Sequence, residues 1–227
     1  MINQAFSLKY WRRLVYVYFL GLGPSGCALA SPPVETGPFR PPHLIELKTL
    51  EAALHFDVRY ATAGNFIGRP VYPEARVFLQ RPAAEAVVRA QRKLASLGYG
   101  LLIFDGYRPW SVTKLFWNSV TEEQRPFVAD PRLGSRHNRG CAVDLSLYDL
   151  ASGREVAMPS SYDEMTERAY PDYPGGTIEA RRLRDLLRKV MEEEGFTVYR
   201  TEWWHFDYKD WSSYQILDLP FSDIGPP

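Results

Sequence analysis

Apolar positions recur at helical spacing in two long stretches of the chain. The first runs from Pro82, a residue suited to the first turn of a helix, to a predicted end at Gly98. Its predicted buried face consists of Ala83, Val87, Ala90, Leu94 and Leu97. The second runs from about Thr177 to Glu194, with a predicted face of Leu183, Leu186, Leu187, Val190 and Met191. A shorter helix is expected from Ser111 to about Asn118.

Other segments have the patterns of strands. Residues 44–47 are mostly apolar, and residues 99–105 form a continuous apolar run that predicts a buried strand. Residues 142–147 alternate, with Val143, Leu145 and Leu147 on one face and Asp144 on the other. The pattern therefore predicts a half-buried strand whose polar face carries a carboxylate.

The first thirty residues have the features of a secretory signal peptide. Basic residues precede an apolar run from Leu14 to Leu22, and Ala28-Leu29-Ala30 supplies small residues for cleavage. The apolar run is shorter than the roughly 20 residues that a membrane anchor needs. We expect export to the periplasm with cleavage after about Ala30. A lipid anchor at Cys27 is one alternative, although no aliphatic residue stands three positions before it, and an uncleaved N-terminus is another.

Residues 31–43 are rich in proline and are predicted to form an extended linker. Residues 44–227 are then the folded domain. Cleavage after Ala30 leaves Cys141 as the sole cysteine, so no intramolecular disulfide is expected. Cys141 fits a small buried residue better than a nucleophile.

Composition limits the classes of function. The chain has 27 basic and 27 acidic residues and 45% hydrophobic residues, which are ordinary for a globular protein. No basic patch or stripe predicts binding to nucleic acid, and no protein partner is evident.

Two histidines and a carboxylate form a candidate metal site. His137 precedes Asp144 by seven residues, and His205 lies near the C-terminus. A carboxylate on a half-buried strand face needs a partner, and Gly140 lets the backbone turn so that His137 approaches Asp144. Catalytic zinc sites use three protein ligands and leave one position open. Taken singly, each of the three residues could have an unrelated structural role.

Glu202 is the candidate general base, because it lies close to His205 in the chain and is not itself needed as a ligand. A regular strand would place Glu202 and His205 on opposite faces. We therefore predict a bulge or helical turn at Trp203-Trp204. A surface salt bridge is the alternative role for Glu202.

Arg108 follows the buried strand and is the candidate for stabilising negative charge on a carbonyl oxygen during amide hydrolysis. A structural salt bridge with Asp105 is the alternative.

The chain resembles the zinc D-alanyl-D-alanine dipeptidases (VanX type) from about Leu47 to Phe221. Four segments carry the resemblance: YATAGNFIGRPV from Tyr60, GYGLLIFDGYRP from Gly98, SRHNRGCAVDLSL from Ser135 and EWWHF from Glu202. The third segment is typical of the wider group of peptidoglycan D,D-peptidases with a hedgehog-like fold. The fourth, together with the first, is more specific to the dipeptidases.

The resemblance implies a role for each matching residue. His137, Asp144 and His205 match the ligands of one zinc ion, Glu202 the catalytic base and Arg108 the arginine that stabilises the transition state. Three further residues match substrate contacts: Ser135 for the substrate carboxylate, and Tyr60 and Asp163 for its amino group. From residue type alone, Ser135 and Asp163 would be surface or turn residues.

The elements and the resemblance together predict a single α+β domain, with helices around a small, mainly antiparallel sheet and one zinc. The expected reaction is hydrolysis of D-Ala-D-Ala to two D-alanines. An exported enzyme of this kind would serve peptidoglycan turnover or D-alanine scavenging. The alternatives are a D,D-carboxypeptidase acting on longer muropeptides and a non-catalytic zinc-binding module. Asp163 argues against the first, while Glu202 and Arg108 argue against the second.

Overall fold

The computed structural model describes Met1 and residues 31–225. The predicted signal peptide and the alternative lipid anchor at Cys27 therefore lie outside the described residues. In the part of the chain that is described, no helix is both long enough and apolar enough to cross a membrane.

A five-stranded sheet forms the centre of the fold. Its strands are β2 (His55–Phe56), β4 (Tyr99–Asp105), β5 (Ala142–Asp149), β6 (Phe196–Tyr199) and β7 (Glu202–Tyr208), in the spatial order β2-β4-β5-β7-β6. β2 pairs parallel to β4, and the other neighbours are antiparallel. The predicted small, mainly antiparallel sheet is confirmed.

A second sheet has two antiparallel strands, β1 (Leu44–Glu46) and β3 (Phe78–Gln80). A single-turn helix, α1 (Leu47–Leu50), follows β1. Leu79 on β3 and Leu47 on α1 are fully buried, so the small sheet and this helix contribute to the same hydrophobic core as the larger sheet.

Three longer helices surround the sheet: α2 (Arg81–Ala95), α3 (Trp110–Ser119) and α4 (Ile178–Glu193). Helices α2 and α4 contact each other, while α2 packs on β4 and α4 on β6. The Thr177 hydroxyl accepts a hydrogen bond from the Ala180 N–H at 3.0 Å and caps α4. The α+β fold is therefore confirmed.

The predicted helix faces are buried with two differences. Four residues of the predicted α2 face are fully buried: Ala83, Val87, Ala90 and Leu94. In α4, only Leu186 of the predicted face is partly exposed. Leu97 was predicted to be buried but is 53% exposed. The reason is that α2 ends at Ala95, so helical periodicity no longer sets the direction of Leu97.

Strand β5 is buried on both faces, which corrects the half-buried strand expected from its alternation. Ala142 and Ser146, which share a face with Asp144, are both fully buried. β5 lies between β4 and β7 in the middle of the sheet, and the Tyr162 side chain covers it at Asp144. The alternation reported which residues share a face, but not whether another segment covers that face.

Residues 31–43 precede β1 and have no helix or strand, in keeping with an extended segment. However, they are not a free linker, because Glu35 accepts hydrogen bonds from the Arg139 guanidinium at 2.5 Å and from the Ile216 N–H at 2.8 Å. The Arg40 N–H donates to the Ser213 carbonyl at 2.8 Å. We call residues 31–43 the N-terminal strap.

Candidate active site

The end of β4 forms one wall of the site. Asp105 accepts hydrogen bonds from the Tyr72 hydroxyl at 2.9 Å and from Nε and Nη2 of Arg108 at 3.0 and 2.7 Å. The salt bridge considered as the alternative role of Arg108 is therefore present. It holds the guanidinium 4.8 Å from the centre of the Phe116 ring at the cavity wall. Burial opposes the charge, but Asp105 keeps the pKa of Arg108 well above its usual value.

Residues 135–141, which carry His137 and which we call the metal-motif loop, turn tightly next to that wall. His137–Arg139 form a turn of 3₁₀ helix, and Gly140 follows with φ of +67°, a conformation that favours glycine. A Cβ atom at Gly140 would clash with Leu44. The Asn138 amide donates to the Arg108 carbonyl at 2.9 Å, so the loop is fastened to the end of β4.

Strand β7 carries the predicted irregularity. Val198 pairs with Phe206, but the next residue of β6, Tyr199, pairs with Glu202. The register therefore shifts across Trp203, Trp204 and His205, as a bulge does. Both tryptophans are buried, at 1% and 3% exposure, and the shift brings Glu202 to the same cavity as His205.

Three side-chain atoms converge at the predicted metal site. Asp144 Oδ1 lies 3.3 Å from His137 Nε2 and 3.1 Å from His205 Nδ1, and the two nitrogens are 3.1 Å apart. Ligands of a tetrahedral zinc ion, each about 2.0–2.2 Å from the metal, lie roughly 3.3 Å from one another. Asp144 Oδ1 is buried without a hydrogen-bond donor. The donor set therefore fits a divalent cation.

The outer nitrogens of both rings have acceptors. His137 Nδ1 lies 2.6 Å from the Gly106 carbonyl oxygen, and His205 Nε2 lies 2.9 Å from Asp207 Oδ1. Although burial opposes charge on His205, Asp207 and Asp144 raise its pKa well above the usual value. The site therefore attracts positive charge, which a proton supplies when no metal is bound.

Glu202 lies beside the converging atoms, with Oε2 3.6 Å from His205 Nδ1. Burial raises the pKa of Glu202 to about 8, His205 acts in the opposite direction, and the Asp144 and Asp163 carboxylates add to the increase. A carboxyl group with a raised pKa next to a cation site can exchange protons near neutral pH.

Asp163 lines the same cavity and accepts a hydrogen bond from the Tyr60 hydroxyl at 3.0 Å. Its φ is +61°, which is uncommon outside glycine. Its second oxygen, Oδ2, is buried without a hydrogen-bond partner. Burial raises the pKa of Asp163 to about 7, and the Asp144 charge adds to the increase.

All eight residues singled out from the sequence line one cavity. Ser135, which is 5% exposed, is among them, and its hydroxyl accepts a hydrogen bond from the His137 N–H at 3.2 Å. The remaining wall is largely apolar and includes Phe66, Phe116, Phe127, Val128, Ala129 and Met165. The site is thus a pocket with charged groups at fixed positions in an apolar wall.

Residues 41–224 match the family model described as D-Ala-D-Ala dipeptidase, Peptidase_M15. The chain belongs to this family. It is 39% identical to a D-alanyl-D-alanine dipeptidase of Enterococcus faecalis, over 77% of this chain and 93% of the relative. It is 34% identical to a D-alanyl-D-alanine dipeptidase of Escherichia coli, over 81% of this chain and 94% of the relative. It is also 34% identical to a D-alanyl-D-alanine dipeptidase of Streptomyces coelicolor, over 71% of this chain and 89% of the relative.

The protein is therefore a metallopeptidase of the Peptidase_M15 family, with a candidate His-Asp-His metal site. Cys141 is fully buried and does not line the cavity, and burial raises the pKa of its thiol to about 12, so it has no part in this chemistry. The other two histidines of the described residues, His43 and His55, do not line the cavity.

Sequence reasoning missed two residues around the metallopeptidase site. Asp207 contacts His205, and the Tyr162 hydroxyl donates to Asp144 Oδ2 at 3.1 Å. Asp207 could have been found, since residues two apart on a strand share a face. Tyr162 lies in a loop without strand or helix, so no periodicity indicates its direction.

Proposed function

We propose that the protein hydrolyses D-Ala-D-Ala to two molecules of D-alanine and uses one zinc ion per chain. The buried, unpartnered Oδ2 of Asp163 is the observation that carries this proposal. An isolated buried carboxylate oxygen is costly unless a donor meets it, and a free substrate ammonium is a donor with the matching charge. The family relatives are described as dipeptidases for the same dipeptide.

Both ends of the dipeptide have a partner in the cavity. The ammonium pairs with Asp163, and the Tyr60 hydroxyl holds the other oxygen of that carboxylate. The Ser135 hydroxyl donates to the substrate carboxylate. A longer peptide carries an amide where the dipeptide has its ammonium, so it would leave Asp163 without a charged partner. Because an unpaired buried carboxylate is costly, the site should bind longer peptides much more weakly than the free dipeptide.

His137, Asp144 and His205 would hold the zinc ion. When bound, zinc acts as a Lewis acid that polarises the scissile carbonyl and favours ionisation of water. Glu202 takes the proton of the attacking water, whose oxygen forms the new bond to the carbonyl carbon. Arg108 stabilises the negative charge on the carbonyl oxygen. Glu202 then delivers its proton to the departing nitrogen as the C–N bond breaks.

The test compares two substrates with the zinc-loaded protein. Free D-Ala-D-Ala and an N-acylated peptide ending in D-Ala-D-Ala are offered separately, and released D-alanine is measured. We expect cleavage of the free dipeptide, little cleavage of the acylated peptide, and a loss of at least about 100-fold in kcat in Glu202→Gln, since general acid–base catalysis contributes about 10²–10⁴-fold. Efficient cleavage of the acylated peptide would instead establish a D,D-carboxypeptidase. Zinc binding without hydrolysis of either substrate would establish a non-catalytic binding module.

We further propose that the protein is exported to the periplasm and acts in peptidoglycan turnover or D-alanine scavenging. The basic residues, short apolar run and Ala28-Leu29-Ala30 of the N-terminus support export. Fractionation of the native host and the mass of the mature protein test this proposal. A mature N-terminus at Ser31 is expected, whereas a lipidated Cys27 would establish a membrane anchor, and a cytoplasmic full-length chain would contradict export.

A further inference from the structure

A network of charged side chains lies behind His205, on the side away from the converging ligand atoms. Asp207 Oδ1 is 2.9 Å from His205 Nε2, whereas it is Nδ1 of the same ring that faces Asp144. Asp207 is two residues beyond His205 on β7, and its side chain is only 14% exposed. This carboxylate therefore contacts a metal-site residue without being within the ligand set.

The second oxygen of Asp207 faces an arginine from the metal-motif loop. Arg136 Nε is buried and lies 3.4 Å from Asp207 Oδ2. The Arg136 guanidinium lies over the Trp211 ring, 4.6 Å from its centre. Because Arg136 immediately precedes His137, this pair of charges joins the loop that carries one histidine to the strand that carries the other.

The position of one proton on His205 determines whether the site can take a metal. A neutral imidazole carries its proton on one nitrogen, and the other nitrogen offers a lone pair. An ionised carboxylate only accepts hydrogen bonds, so Asp207 selects the form with the proton on Nε2. The Nδ1 lone pair then points towards Asp144 and His137. In the other form, the Nδ1 proton would stand where a metal ion must bind.

The two histidines are held by acceptors of different kinds. His137 Nδ1 faces the Gly106 carbonyl at 2.6 Å, an acceptor that the backbone fixes. His205 depends on a side chain that has rotational freedom of its own. An ion pair with a partly buried arginine restricts that freedom, and the stacking of Arg136 on Trp211 restricts the arginine in turn.

We propose that Asp207 is a positioning residue that fixes His205 in its metal-binding form, and that Arg136 holds Asp207 in place. This inference rests on the proposed zinc site. Outer-shell partners of metal-bound histidines typically contribute a factor of about 10–100 to metal affinity. The contribution of Arg136 should be smaller, because it acts through Asp207.

The experiment measures zinc affinity by competition with a chromophoric chelator, in the wild type, Asp207→Asn, Arg136→Gln and the double variant. Glu46→Gln is the matched control. Glu46 lies on β1, does not line the cavity, and has an 18%-exposed carboxylate that pairs with Arg76 at 2.8 Å. The visible absorption of the cobalt-substituted proteins reports ligand geometry independently of activity. Circular dichroism establishes that each variant is folded.

We expect Asp207→Asn to bind zinc about 10–100-fold more weakly, with an altered cobalt spectrum and a fall in kcat rather than a rise in KM. Arg136→Gln should show a smaller loss, the double variant should resemble Asp207→Asn, and Glu46→Gln should match the wild type. Wild-type zinc affinity in Asp207→Asn, or equal losses in Arg136→Gln and Glu46→Gln, would overturn the inference. If Asp207→Asn does not fold, the zinc affinities of Arg136→Gln and Glu46→Gln are compared instead, and a loss in Arg136→Gln alone supports the inference. Failure of the wild type to bind zinc would instead refute the proposed zinc site.

Discussion

The charged side chains that line the cavity are unequally balanced. Three carboxylates line it, those of Asp144, Asp163 and Glu202. Two arginines line it as well, but Arg136 is paired with a carboxylate of β7, and Arg108 binds Asp105 of β4 at 2.7 Å and lies farther, at 3.7 Å, from Asp144. Buried carboxylates without cations are costly. The proposed zinc ion and the substrate ammonium would supply the missing positive charge. Binding of the metal and the substrate would therefore remove the free-energy cost of burying these carboxylates without cations.

A pH dependence of substrate binding follows from Asp163. Its pKa is about 7 because the side chain is buried, and only the ionised form can pair with an ammonium. As pH rises through about 7, Asp163 loses its proton, so KM for D-Ala-D-Ala should fall. In Asp163→Asn, KM should be about 10-fold or more above the wild-type value at pH 8, because the charged hydrogen bond contributes roughly 1.5–3 kcal/mol. Steady-state kinetics from pH 5.5 to 8.5 check both statements.

Tyr60→Phe serves as the comparison for this pH series. It removes the hydroxyl that donates to Asp163 but leaves the carboxylate in place. KM in this variant should keep its dependence on pH with a midpoint shifted upward, since that hydrogen bond favours the ionised form. A pH-independent KM in the wild type, or an unchanged pH dependence in Asp163→Asn, would show that Asp163 does not bind the ammonium.

At the scale of elements, the turn at Gly140 sets the distance between the metal-motif loop and β5. Gly140 has φ of +67°, and a Cβ atom there would clash with the Leu44 side chain. Gly153 has nearly the same φ, +68°, but no atom within 4 Å of the position that a Cβ would occupy. The two glycines therefore separate the conformational cost of a side chain from its steric cost.

We expect Gly153→Ala to lower the free energy of unfolding by about 1–2 kcal/mol, the cost of a left-handed conformation for an L-residue. Gly140→Ala should lower it by more, because overpacking adds typically 1–3 kcal/mol. Gly140→Ala should also weaken zinc binding, whereas Gly153→Ala should not. Urea denaturation and chelator competition measure the two effects. Equal destabilisation by both substitutions would contradict the proposed packing constraint.

Elements were predicted well where one local pattern determines their burial. Strand β4 has the predicted bounds, and the apolar face of α4 is buried apart from Leu186. The bulge near Trp203 was found through chemistry, because Glu202 and His205 could share a site only if the register shifted. Periodicity failed where burial depends on other segments. No local pattern indicated the cover over Ser146 on β5.

The site was predicted partly through residue chemistry and partly through resemblance. His137, Asp144 and His205 were recognised because their side chains suit a metal and their spacing suits one site. The contact between Tyr60, in a turn of 3₁₀ helix, and Asp163, in a loop, joins residues 103 positions apart, so spacing alone could not reveal it. The resemblance proposed that both lie near the substrate amino group, and the structure brings them into one cavity.

At the scale of the whole molecule, the metal site ties together parts of the chain that are distant in sequence. His137 lies in a loop, Asp144 on β5 and His205 on β7. A cation that binds the folded state and not the unfolded chain stabilises the fold by RT ln(1 + [metal]/Kd). Removal of zinc with a chelator should therefore lower Tm by several degrees, and stoichiometric zinc should restore it.

The stabilisation by zinc should decrease as the pH falls. Protonation of His205, whose pKa is well above its usual value without metal, competes with metal binding. Calorimetry at pH 6 and pH 8 with fixed free zinc measures this difference. A Tm that is the same with and without zinc would exclude a metal bound by the folded protein under those conditions, and His137→Ala provides the variant in which no zinc effect on Tm is expected.

The N-terminal strap joins the metal-motif loop to the C-terminal part of the fold. The Glu35 carboxylate, 20% exposed, receives hydrogen bonds from the 9%-exposed Arg139 side chain and from the Ile216 N–H. Glu35→Ala leaves these donors without their acceptor, so it should lower the free energy of unfolding by about 1–3 kcal/mol. Asp172→Ala removes a carboxylate that is 89% exposed and paired with Arg188, which should change stability by less than about 1 kcal/mol. Urea denaturation of both variants decides the matter. Equal stability of the two variants would mean that residues 31–43 act only as a linker, whereas the expected difference would show that the strap contributes to the stability of the folded domain.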